Sequence, residues 1–202
     1  MGKEMTPKES LDLITRTILD IRESAKNNSF YFIAWGWIIA SASIIHFAVL
    51  HYLLVQEKYE LINWATIIVW SSFVLTGMII QFSYQKKNQG NKKHQSVIGK
   101  LLSSLWIASG TGIILIVIFI LSYGINPTPF VLIVTAIATY TTGKMIRFKP
   151  LVLGGIGFVL FAILALFINN HFQLLLNGAA IFVGYLIPGY MLKKTEIIDY
   201  HV

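Results

Sequence analysis

The sequence predicts an all-α, polytopic membrane bundle: six transmembrane helices preceded by an N-terminal amphipathic cytoplasmic helix. Three observations carry this. None of the nine carboxylates lies between Leu61 and Thr195, and a stretch that long without an acid cannot form a water-exposed surface. The chain is 55% hydrophobic and only 12% charged, about half the ~25% charge of soluble domains. Finally, Tyr84–Lys100 carries five lysines and no acid between two apolar runs. Lipid charge and membrane potential hold such a cluster on the cytoplasmic side.

Residues 1–29 read as the cytoplasmic helix. Thr6 suits an N-cap, Pro7 the first helical position, and Glu9 closes a capping box. Leu11, Ile14, Ile18, Ile21 and Ala25 follow in one 3-4-3-4 stripe, the pattern of a helix that meets a partner helix. Lys26-Asn27-Asn28 is expected to end it.

The transmembrane domain occupies 30–192, with spans near 30–51, 61–81, 101–121, 130–146, 150–168 and 172–192, and 193–202 forms a cytoplasmic tail. Each run approaches or exceeds the ~20 residues that cross ~30 Å of hydrocarbon. Phe30, Tyr31, Phe32, Trp35 and Trp37 load the cytoplasmic end of the first span, while Tyr59 and Trp64 mark the outer end of the second. The third span turns at Tyr123–Pro129, the fourth at Arg147-Phe148-Lys149, and the fifth at Asn169-Asn170-His171. Pro150 opens the fifth span, where its missing N–H costs nothing. With both termini cytoplasmic, fifteen of the sixteen basic residues share one side and only Lys58 falls opposite.

Small residues recur every four positions at Ser104, Ala108 and Gly112, at Thr135, Thr139 and Gly143, and at Ala180, Gly184 and Pro188. Such stripes let backbones approach in lipid, and the third and fourth spans are expected to pack as a tight hairpin. Gly154-Gly155-Ile156-Gly157 lacks the strand and the Lys-Ser/Thr of a phosphate loop and reads as close helix packing.

Chemistry finds little purchase. Without cysteine there is no thiol nucleophile, disulfide or Cys-type metal site. Hydroxyls abound in the spans, but no acid is within reach to complete a Ser/His/Asp set or a two-carboxylate site. No nucleic-acid recognition module is visible, and the net charge of +7 flanks apolar segments. Four features remain as candidates. Lys86, Lys87, Lys100, Lys144, Arg147, Lys149, Lys193 and Lys194 should form a cytoplasmic basic ring that contacts anionic lipid headgroups. His46 and His171 form a weak outer-leaflet polar pair. Pro188 leaves the Gly184 carbonyl without its helical donor, so Gly184, Pro188 and Gly189 mark a helix break that could line a cytoplasmic vestibule. Residues 7–26 offer a surface for a cytoplasmic protein or a second copy.

The stretches FYFIAWGWII, RFKPLVLGG and LLLNGAAIFVGYLIPGYMLKK resemble a family of bacterial inner-membrane proteins of roughly this length with no assigned activity. The resemblance implies a six-helix architecture and a bacterial plasma membrane, and it transfers no catalytic residue. The sequence therefore favours a non-enzymatic sensor or docking protein without cofactor. The alternative is a transporter or channel for a small neutral or anionic solute. Proton- or cation-coupled transporters keep ionisable groups at the midplane, where this chain offers hydroxyls, His46 and Asn177.

Overall fold

The computed structural model describes residues 6–88 and 97–194. All the elements among them are helical: α1 (Pro7–Val55), a 3-10 turn (Tyr59–Leu61), α2 (Ile62–Asn88), α3 (Val97–Ser122), α4 (Thr128–Met145) and α5 (Lys149–Ala165). A composite last helix follows: α6 (Gln173–Ile181), a π-helical turn (Phe182–Leu186) and α7 (Ile187–Lys194). Lys92, Lys93 and the tail beyond Lys194 lie outside the described residues.

Helix α1 starts where the capping box places it. Glu9 N–H donates to Thr6 Oγ1 at 3.3 Å, and Thr6 N–H donates back to Glu9 Oε2 at 2.8 Å. It then runs unbroken for 49 residues, which corrects the expected stop at Lys26-Asn27-Asn28. Those three residues include neither proline nor glycine. Each Asn costs at most ~0.7 kcal/mol relative to Ala, whereas a break would orphan up to four N–H and four C=O groups.

Three helices end in the same backbone motif. After α1, Lys58 N–H bonds Leu53 C=O at 2.9 Å. After α3, Ile125 N–H bonds Ile120 C=O at 3.2 Å, and after α4, Phe148 N–H bonds Gly143 C=O at 2.8 Å. Each closure needs one left-handed residue. Gly124 supplies it cheaply, but Glu57 (φ 55) and Arg147 (φ 54) occupy the other two.

Four helices are long and apolar enough to cross a membrane: Ser29–Val55, Tyr59–Lys87, Ile98–Ser122 and Gln173–Lys194. Helices α4 and α5 have 18 and 17 residues, about 27 and 26 Å of rise. They pack on each other more closely than any other pair. A Cβ on Gly143 would lie 2.6 Å from Val152 N, and one on Gly155 would lie 2.7 Å from Tyr140 N. The tight hairpin is thus α4–α5, joined by three residues, and not α3–α4. Ser104 and Ala108 are exposed, and a Cβ on Gly112 would meet nothing within 4 Å. Gly143 at the foot of α4 is taken by α5, whose glycines permit backbone contact.

The centre is formed by α1, α4, α5 and the composite helix around Phe158, Leu151, Leu132 and Tyr185. Gly184 sits at its tightest point. An added Cβ would run into the Phe158 ring, and a Cβ on Gly154 would lie 2.6 Å from the Gly184 carbonyl oxygen. Helix α2 leans on α1, and α3 touches α4 and α1. Both leave most of their apolar surface uncovered.

Candidate functional site

Among the described residues the polar side chains inside the bundle fall into separate groups, several of them on α1. On the α2 side, Trp70 Nε1–H donates to His46 Nδ1 at 3.0 Å. With Nδ1 accepting, the ring proton sits on Nε2, which faces Thr66 Oγ1 at 3.0 Å. The Thr66 hydroxyl in turn donates to Ile62 C=O at 2.9 Å. The chain runs one way, from indole to imidazole to hydroxyl to carbonyl, and fixes His46 as the neutral Nε2–H tautomer. About three turns nearer the N-terminus, Trp35 Nε1–H donates to Gln81 Oε1 at 2.9 Å, with the indole ring seated on Gly77. Phe30 and Tyr84 stack at 3.8 Å below it.

The opposite side of α1 meets the composite helix. Asn177 Nδ2 donates to Ser43 Oγ at 2.9 Å, both side chains buried. Gly36 faces Leu186, and Gly189 packs on Phe32 and Ile33. Tyr185 is buried and meets the Phe32 and Phe158 rings edge-on. Thr139, on α4, donates to Thr135 C=O at 2.7 Å. Trp37 Nε1–H donates to Tyr190 Oη at 3.0 Å at the edge of the bundle.

The two histidines are not brought together as ligands. Both ring nitrogens of His46 are engaged by α2, while His171 stacks on Phe47 and Phe172. Among the described residues no group of three or more His, Asp or Glu could hold a metal ion. The eight basic candidates are all exposed. The Phe30–Tyr84 stack and the Trp37–Tyr190 bond align the helix ends that carry Lys86, Lys87, Lys193 and Lys194. Lys144 lies over the Tyr140 ring at 5.6 Å.

The disturbance around Pro188 lies upstream of the proline. Ile187 N–H reaches back five residues to Phe182 C=O, the bond of a π turn. Gly184, Pro188 and Gly189 are buried. The Gly184 carbonyl that Pro188 leaves without a donor is packed against Gly154, and Gly189 against α1. These atoms line no vestibule; they are helix-crossing contacts. At the other end, Gln173 Nε2 donates to Ile168 C=O at 3.0 Å while its Oε1 has no partner among the described residues.

Sequence reasoning missed the partners: Trp70 and Thr66 for His46, Gln81 for Trp35 and Ser43 for Asn177. The only available signal was that a polar atom inside an apolar helix must find a partner. Comparisons with known families, characterised proteins and solved structures find no match to this chain.

Proposed function

We propose that this is a non-enzymatic, multi-pass membrane protein of the bacterial inner membrane that presents the N-terminal part of α1 to a cytoplasmic partner. The observation that carries the reading is the continuity of α1. Its apolar part, Ser29–Val55, already has 27 residues. The 22 residues Pro7–Asn28 continue the same helix for about 33 Å. A helix rigidly joined to a membrane span transmits orientation and displacement, and a hinged one does not. Leu11, at the head of the stripe, is 67% exposed.

In this reading α4 and α5 also span the bilayer, giving six spans with both termini cytoplasmic. Their short length is accommodated because the bilayer thins or the flanking residues snorkel at modest cost. The basic helix ends lie in the cytoplasmic headgroup layer. Transport is the weaker reading, since Asn177 pairs with Ser43 and Thr139 bonds its own helix instead of lining a path.

Photo-crosslinkers at Leu11 and Ile18 in cells test the docking role. A discrete adduct that disappears with Ile14→Asp/Ile18→Asp, at unchanged membrane insertion, is the expected result. Absence of any adduct at both positions would refute docking. Solute flux through proteoliposomes would restore the transporter.

A further inference from the structure

The π turn shapes a groove that the helices themselves leave unfilled. In an α-helix Phe182 and Leu186 would share a face; the extra residue of the turn pairs Phe182 with Ile187 instead. Leu186 therefore points inward at 1% exposure, while Phe182 and Ile187 stay outside at 51% and 44%. Beside them runs an apolar groove of about 400 Å³ lined by Trp37, Phe182, Leu186, Ile187, Tyr190 and Lys194. From Phe182 to Lys194 it extends about 18 Å, close to the ~15 Å depth of one leaflet's hydrocarbon.

Its polar groups gather at one end. Lys194 lies one helical turn beyond Tyr190, with Lys193 beside it. The Tyr190 oxygen accepts the Trp37 indole proton, which orients the phenol and leaves its own hydrogen to donate. An apolar trough one leaflet deep, with a cation and a hydroxyl donor at its mouth, matches one amphiphile.

We propose that this groove binds an anionic phospholipid, with one acyl chain along Phe182–Ile187 and the headgroup phosphate on Lys194 and Tyr190. The inference rests on the membrane reading above, and the experiment separates the two. The protein is reconstituted into phosphatidylcholine vesicles containing increasing phosphatidylglycerol, with bromine on the acyl chains of one lipid at a time. Tryptophan quenching is read for the wild type and for Trp37→Phe, and the difference is the Trp37 signal.

Quenching of the remaining tryptophans by brominated phosphatidylcholine reports membrane insertion alone. The Trp37 signal should saturate at a low mole fraction of brominated phosphatidylglycerol. Lys194→Glu should raise the half-quenching fraction about tenfold, and Ile187→Phe, which adds bulk to the groove wall, should weaken quenching without changing headgroup charge. Quenching proportional to mole fraction and equal for both lipids would overturn the site in favour of an unselective lipid annulus. Protection of Trp37 from both lipids, with the protein migrating as a dimer, would place a second copy there and equally overturn it.

Discussion

Replacing Gly155 with alanine puts a methyl group where the structure has α4 backbone. The new Cβ would lie 2.7 Å from Tyr140 N and 2.8 Å from Tyr140 Cα. Neither atom can rotate away, so α4 must shift by roughly 1 Å to restore van der Waals contact. The same shift opens the crossing at Gly143, where an added Cβ would lie 2.6 Å from Val152 N. Overpacking of this kind costs about 1–3 kcal/mol. The gain from replacing glycine inside a helix, about 1 kcal/mol, offsets part of it. The net effect is a loss of up to about 2 kcal/mol, or up to roughly 8 °C in melting temperature for a chain of this size. Gly112→Ala is the matched control: with nothing within 4 Å of the new Cβ, it keeps the propensity gain and raises stability by about 0.5–1 kcal/mol. Thermal unfolding in detergent, followed by circular dichroism, reads both. Shifts of the same sign, or a larger loss at Gly112, would refute the assignment of α4–α5 as the close hairpin.

Other outcomes follow from single contacts. His46→Leu strands the Trp70 N–H and should cost about 1–3 kcal/mol, seen as earlier denaturation, while Phe47→Leu one position along does not break the chain. At Arg147, held at φ 54, Arg147→Gly should be more stable than Arg147→Ala by about 1 kcal/mol, since both lose the charge and only alanine keeps the Cβ strain. Glu9 accepts hydrogen bonds from the Thr6 backbone and hydroxyl, which hold its carboxyl below the usual range. Its contribution is therefore complete above the unfolded carboxylate pKa and lost as pH falls through the lowered value. Amide exchange in the first turn of α1 should accelerate over that interval, and Glu9→Gln should remove the pH dependence.

The apolar helices were legible because hydropathy and charge are local properties of sequence. The capping box at Thr6 and Glu9 was legible for the same reason. Which helix packs on which was not. The Ser104/Ala108/Gly112 and Thr135/Thr139/Gly143 stripes have the same spacing, yet the first faces outward and the second is buried. Small residues permit a close crossing without naming the partner, and the three-residue α4–α5 connection was the better guide. At Lys26–Asn28, helix-breaking tendency was weighed residue by residue, whereas the hydrogen-bond ladder on either side acts cooperatively. Gly184 and Pro188 marked a real irregularity: the π turn contains Gly184 and ends just before the proline, so the chain accommodates the missing N–H by widening that turn. His46 was visible as a buried polar group, but Trp70 and Thr66 lie on another helix, beyond any spacing rule.

The continuity of α1 is the claim on which the docking role stands, and the absence of cysteine makes it directly measurable. Spin labels on cysteines at Leu11 and Ile44, both exposed, are separated by 33 residues of helix, or about 50 Å. In lipid nanodiscs, pulsed electron–electron distance measurement should give one narrow distribution near that value. A broad distribution, or one centred well below it, would place a hinge at Lys26–Asn28 and contradict the account.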